Sequence, residues 1–394
     1  MTSVSKILFV GHEATRTGAP VLFLNLLKWF KSNCSTPFLI ILRIDGPLRE
    51  QYEQIAPTYI YSDPIRENRF ERFIAKFKPT RNKKELFYKN LLKQENVELV
   101  YANTATNGEL YEIFKSLQLP ILTHVHELEY ALRVCNSNSD LERIMRLTDR
   151  FIVASHAVKN NLTVNHGIAA NNMILCYDFI PCEEIESYRT EKKLVCQELN
   201  IPLDSFIICG SGTMDWRKGT DLFIQLANSL VHNLRNAPIY FLWVGGRKEG
   251  HYYEELIYDV NKLCLETRVI FLCEQVAPWV YYSACDVFAL LSREDPFPLV
   301  CLDSATLGKP ILCFEKSGGM PEFVEDDAGF IVPYLDIEAM CSRIIQLYED
   351  DTLRQRLGAR AAAKVRERHD IEQSGRQIVG IIESFESCKC QVAT

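Results

Sequence analysis

FIICGSGTMDWRKGTDLFIQLANSL, residues 206–230, contains the unit from which the chain is built. Its first four residues are apolar and too few for a helix, so they read as a strand buried on both faces. A loop holding Gly210 and Gly212 follows, and from Asp221 to Leu230 apolar residues recur at the spacing of an amphipathic helix. Strand, loop and helix in that order form half of a parallel crossover unit. Outward from this unit the alternation continues, with strands expected at 239–244, 268–272, 286–291 and 310–314. It also runs backward, with strands expected at 6–10, 38–42, 98–102, 120–124, 150–154 and 173–177. The polar stretch at 181–204 separates the two series and reads as a linker.

A chain of 394 residues suits two domains of roughly 100 to 200 residues each. We therefore expect an α/β protein with a Rossmann-like domain over 1–180, the linker over 181–204 and a second Rossmann-like domain over 205–365. The two face each other across a cleft, and a C-terminal helix over 366–394 packs back toward the first. Neither first-strand loop, GHEATRTGAP after Val10 or CGSGTMDWRKG after Ile208, spells a dinucleotide fingerprint or a phosphate loop ending in Gly-Lys-Ser/Thr. A nicotinamide dehydrogenase and an ATPase are both disfavoured.

The 44 basic and 51 acidic side chains leave a net charge of −7, which argues against a dedicated nucleic-acid binder. The apolar run at 7–10 is shorter than a signal-peptide core of about 7 to 15 residues, and the stretch at 276–291 is broken by Ser283 and Asp286. The expectation is a cytoplasmic protein. Its 14 cysteines are scattered without a Cys-x-x-Cys pair and read as small core residues in a reducing compartment. Cys388 and Cys390 lie close together but are a weak metal signal alone, and no metal or cofactor is expected.

The segment SREDPFPLVCLDSATLGKP, residues 292–310, places Asp295 in a loop and Asp303 in the first turns of a helix expected to begin near Leu299. Helix-start amides, here Leu299 and Val300, can hold a phosphate. A carboxylate one turn in can accept hydrogen bonds from ribose hydroxyls, and one in the loop from a sugar hydroxyl. A solvated acidic loop with a helix-start acid reads the same way. Arg217 and Lys218, in DWRKGTD, can neutralise a diphosphate leaving group. His124 and His126 close a strand and could share one face. Gly18 and Ala19 precede a helix expected near Pro20 and would permit close backbone approach to a phosphate or acceptor.

These stretches resemble the family-4 retaining glycosyltransferases of the two-domain GT-B fold. The likeness rests on Asp295 and Asp303, on Ala305 with Gly308, Lys309 and Pro310, and on the Gly318, Gly319, Met320, Pro321, Glu322 run. The family has glutamates where Asp295 and Asp303 stand, a glycine at Pro298, and an arginine at Thr213 five residues before its lysine, matched here by Lys218. Arg217 lies beside that lysine and Glu294 beside Asp295. The resemblance implies a hexosyltransferase that takes a nucleoside diphosphate sugar as donor and needs no obligatory metal. Catalysis would fall to His126, Asp295, Arg217 and Lys218. Gly18, Ala19, Glu294, Phe297, Leu299, Val300 and Asp303 would bind the donor, and the acceptor would be a saccharide or lipid-linked. The alternative is a non-catalytic nucleotide-sugar-binding subunit of a glycosyltransferase complex.

Residues 66–93 carry ten basic and three acidic side chains, a local charge of +7. Phe70, Phe73, Ile74 and Phe77 fall there at helical spacing. A helix lying on an anionic membrane surface has this pattern, and so does an ordinary helix with its phenylalanines in the core. The first reading gives a peripheral contact at the inner membrane surface.

Overall fold

The structure is a computed structural model that describes residues 6–63 and 80–392. The segment 64–79, with the four aromatic and aliphatic residues just named, lies outside the described residues, as do the side chains of Cys388 and Cys390. Two compact units result. One ends at Cys176 and resumes at Gly375, and the other is Tyr177–Ser374.

In the first unit β1 (Lys6–Glu13), β2 (Phe38–Ile44), β3 (Thr58–Ile60), β4 (Val97–Ala102), β5 (Ile121–Val125), β6 (Arg150–Val153) and β7 (Met173–Leu175) form one parallel sheet. Its order is β3-β2-β1-β4-β5-β6-β7. In the second, β8 (Phe206–Ser211), β9 (Ile239–Val244), β10 (Val269–Leu272), β11 (Val287–Leu290), β12 (Ile311–Phe314) and β13 (Gly329–Val332) pair in the order β10-β9-β8-β11-β12-β13. Every described ladder is parallel, so helices cover both faces and the strands are apolar throughout. The order reverses beside β1 and beside β8, which puts the loops after those strands where open sheets bind ligands.

Phe9 of β1 shows why the sheet holds. Its ring meets Phe23, Phe30, Phe38 and Tyr101 at centroid separations of 5.2–6.3 Å. Its neighbours Leu8 and Val10 enter the core on the opposite face. In the second unit Phe223 of the helix Thr220–Asn233 lies edge-on to Phe241 and Trp243 of β9. Each such ring, fully buried, stabilises the fold by about 1.5–3 kcal/mol.

Two short strands, β3 and β13, join the expected set. The stretch expected as a linker is largely helical, with helices Cys182–Ser187 and Lys192–Leu199 burying Cys182, Ile185, Val195 and Cys196 within the second unit. The last helix, Ile371–Val392, belongs to the first unit from Gly375 onward. A Cβ at Gly375 would stand 2.5 Å from the Trp29 ring, so glycine sets that packing distance.

Candidate active site

In the second unit the loop after β8 and the loop after β11 run side by side in register. Arg293 Nη1 donates to the Trp216 carbonyl at 2.6 Å, Arg217 Nη1 to the Glu294 carbonyl at 3.1 Å, and Lys218 Nζ to the Asp295 carboxylate at 2.6 Å. Each pair is 77 residues apart in sequence. The Arg293 amide closes the ladder on the Arg217 carbonyl at 2.7 Å. Arg293 also grips Asp221 through two bonds of 2.9 and 2.8 Å and lies over the Trp216 ring at 4.9 Å. Burial alone would raise the Asp221 carboxyl, and the Arg293 fork overrides it and holds the group low.

The first loop is shaped from within as well. Asp215 accepts from the Lys218 amide at 2.7 Å and from the Thr213 hydroxyl at 2.7 Å. Gly219, at φ +74, lies so close to β11 that a Cβ would stand 2.0 Å from the Leu291 carbonyl oxygen. Gly318, at φ +143, is packed just as tightly against the Asp295 carbonyl oxygen, where a Cβ would stand at 1.6 Å. Asp295 in turn donates its amide to the Ser317 carbonyl and receives the Ser292 hydroxyl at 3.1 Å.

Lys218 and Asp295 are 15% and 6% exposed, so their ion pair is desolvated and would be costly to break. The helix Leu299–Thr306 opens behind Pro298, which offers no side-chain cap, leaving Leu299 and Val300 at the helix start. Phe297 is buried, facing Tyr177 and His369 at 5.2 and 5.1 Å; it supports the turn from beneath. Asp303 is half-buried with its carboxyl deep in the unit. Burial pushes that carboxyl up to about 7, against the pull of the Trp279 indole, and the Glu184 carboxylate adds to the rise.

The first unit holds the other residues singled out by sequence. His126 follows β5 and stacks on His124 at 4.0 Å. His124 is fully buried against the Tyr101 hydroxyl at 2.7 Å, and burial drives its imidazole well below the usual range. Glu127, which sequence reasoning passed over, binds the Ala105 and His126 amides at 3.2 and 3.0 Å and so fixes the backbone of His126. Gly18 begins the helix Gly18–Asn33 and is exposed, with nothing within 4 Å of an added Cβ; Ala19 is half-buried beside it.

Residues 191–364 match the family described as Glycosyl transferases group 1. That match lies within the second unit, Tyr177–Ser374. The chain is 30% identical over 193 residues to the lipopolysaccharide core biosynthesis mannosyltransferase LpsB of Rhizobium meliloti, covering 47% of this chain and 53% of the relative. It is 27% identical over 171 residues to the core biosynthesis glycosyltransferase LpsD of the same organism, covering 43% and 47%. The chain thus spans about half the length of the curated relatives it matches. Among solved structures, Anabaena HepE in complex with UDP superposes with a TM-score of 0.80 at 21% identity, over 96% of this chain and all of that one. The fold shared across that length is GT-B, two parallel α/β units in one chain.

Proposed function

We propose that this chain is a retaining hexosyltransferase that moves a sugar from a nucleoside diphosphate sugar to a hydroxyl of a saccharide or lipid-linked acceptor. The reading is carried by the register of the two loops of the group 1 unit. They bring Arg217, Lys218 and Asp295 together and lead into the helix start at Leu299. In this reading the two cations and the Leu299 and Val300 amides take up the charge that grows on the diphosphate as its bond to the anomeric carbon breaks. The acceptor oxygen forms its new bond to that carbon on the same face. The departing phosphate oxygen takes the acceptor proton. Asp295 holds Lys218 in place and accepts from a sugar hydroxyl, and Asp303 accepts from ribose. With cations supplied by the chain, no metal is required.

A uridine donor is supported by HepE, which is solved with UDP and with UDP-glucose. A saccharide acceptor is supported by the lipopolysaccharide core relatives. Proton NMR of the first product, formed in excess EDTA, tests the mechanism. The expected result is the donor's own anomeric configuration at an undiminished rate; an inverted anomer, or activity restored only by divalent metal, would contradict it. A donor that binds but is never turned over would favour the non-catalytic subunit.

The peripheral membrane reading draws support from the helix Thr80–Gln94, where Leu86 and Phe87 are 58% and 39% exposed among lysines. Two of those lysines are partly engaged, Lys84 over the Tyr61 ring at 4.0 Å and Lys89 with Glu85 at 2.6 Å. Among the described residues no helix is long and apolar enough to cross a membrane. Sedimentation with anionic but not neutral vesicles, lost on replacing Lys83, Lys84 and Lys89 by glutamate, is the expected outcome; unchanged sedimentation would return the helix to an ordinary solvated face.

A further inference from the structure

Trp216 and Tyr334 stand at one end of the two-loop ladder, 52% and 42% exposed, and both are tied to Arg293. The Arg293 guanidinium, largely buried, lies against the Trp216 ring at 4.9 Å and is itself locked on the Asp221 carboxylate at 2.9 and 2.8 Å. With that face covered and half of the residue still exposed, the opposite face of the indole is the open one. Tyr334 follows β13. Its hydroxyl donates to the Arg293 carbonyl at 3.2 Å, and its ring lies edge-on to Phe314 at 6.2 Å. The turn beyond it holds Leu335 at φ +61, a conformation that bulky side chains rarely adopt. Exposed apolar residues scattered singly are ordinary, whereas two rings fixed by one arginine beside the cations of the ladder form a surface with a defined shape.

We propose that Trp216 and Tyr334 form an aromatic platform for a pyranose ring of the acceptor, the unit next to the one that receives the transferred sugar. This rests on the reading of the clamped loops as the donor's diphosphate site. The ladder pairs Trp216 with Arg293, Arg217 with Glu294 and Lys218 with Asp295, and beyond Asp295 the chain runs on to the helix start at Leu299 and to Asp303. The nucleoside end of the donor therefore lies toward Leu299 and Asp303, and Trp216 is at the other end, past the cations. A pyranose has an apolar face of C–H groups inside a rim of hydroxyls, and an aromatic ring with polar groups at its edge matches that shape. Asp215, next to Trp216 in the loop, supplies such a group. Its carboxylate accepts from the Lys218 amide and the Thr213 hydroxyl, which leaves two of about four acceptor sites for sugar hydroxyls. The rings are fixed before the ligand arrives, so little ordering is left to oppose binding. Two ring faces fall far short of the roughly 1,000 Å² of a stable protein interface, which argues against a protein as the occupant.

The test is nitrogen-15 NMR of the indole groups in the full chain, saturated in EDTA with whichever of UDP and GDP binds. The probes are isomaltohexaose, maltohexaose, cellohexaose and the core oligosaccharide of a lipopolysaccharide, which between them present α- and β-linked pyranose faces. The Trp216 resonance is identified by its absence from Trp216→Phe. At least one probe should shift it progressively to saturation. Trp216→Ala should weaken that probe's binding by about tenfold or more, Tyr334→Ala should weaken it by less, and Trp216→Phe, which keeps a ring, should lose less than Trp216→Ala. A Trp216 resonance unmoved by all four probes, or wild-type affinity for the probe retained in Trp216→Ala, would overturn the platform. Nucleotide affinity falling in Trp216→Ala as far as probe affinity would give the ring to the nucleoside and overturn it as well. Failure of the wild type to bind either nucleotide would instead overturn the reading of the clamped loops on which it rests.

Discussion

The loops after β1 and after β8 occupy the same place in two sheets of the same kind, and they are built on opposite plans. The first is tied mainly to itself, with Glu13 accepting from Thr15 at 2.7 Å and Thr17 at 3.4 Å, and with Arg16, Thr17 and Gly18 exposed. The second is clamped along its length by a loop 77 residues away, through two arginines, a lysine and a backbone ladder. Position in a parallel sheet selects where a ligand can bind, but rigidity comes from contacts that the sheet does not supply. A group that must meet a diphosphate in one geometry gains from the second plan, because less ordering remains to be done on binding. A loop that adapts to an acceptor is served by the first.

Removing the cation from the clamp should produce the largest change. Lys218→Met leaves Asp295 charged, buried and without its partner, at a cost of about 3 to 5 kcal/mol of stability, and it should lower turnover by at least about 100-fold. Adding Asp295→Asn should recover most of the stability and none of the turnover. Thermal unfolding and steady-state rates on the single and double variants separate the two effects.

The glycines of the two loops give the next contrast. Gly219→Ala forces a Cβ against the Leu291 carbonyl at a backbone angle that side chains rarely adopt, and should cost about 2 to 4 kcal/mol. Gly18→Ala, where an added Cβ meets nothing, should stay within about 0.5 kcal/mol of wild type. Equal losses in urea titrations would erase the distinction between a clamped loop and an open one.

Asp303 gives a smaller, pH-dependent effect. Its folded carboxyl ionises near 7 because of burial, well above the usual aspartate range, so the folded chain holds a proton that the unfolded chain has released. Stability from this group is therefore greatest below the ordinary aspartate value and falls as pH rises toward 7. Asp303→Asn should stabilise the protein at pH 8 by about 2 kcal/mol, less than the full linkage because the side chain is partly open to water, and the gain should vanish by about pH 4. Melting temperatures across that range are the measurement.

How much of this was legible in the sequence follows from the range of each interaction. Strands such as FIIC and VFAL announce themselves because a parallel strand buried on both faces is a continuous apolar run bounded by polar turns. β3 is three residues long and β13 starts at a glycine with φ +153, so neither presents a run long enough to stand out. The stretch at 181–204 reads as polar because its helices bury only one narrow face, Cys182 with Ile185 and Val195 with Cys196. Lys218 and Asp295 are visible as chemistry by residue type and local spacing, whereas their pairing is not, since nothing local marks a partner 77 residues away. The Arg293 to Asp221 fork and Glu127 under His126 were missed for the same reason. Each is an ordinary residue whose role is set by what the fold places against it.

The contrast between the loops is tested most directly by calorimetric titration of UDP into wild type, Lys218→Met and His126→Ala in EDTA. If the clamped loops of the C-terminal unit hold the diphosphate, Lys218→Met should weaken binding by about tenfold or more, and His126→Ala should bind UDP as wild type does while losing transfer activity. UDP affinity unchanged in Lys218→Met, or reduced equally in His126→Ala, would contradict the assignment of the diphosphate to those loops.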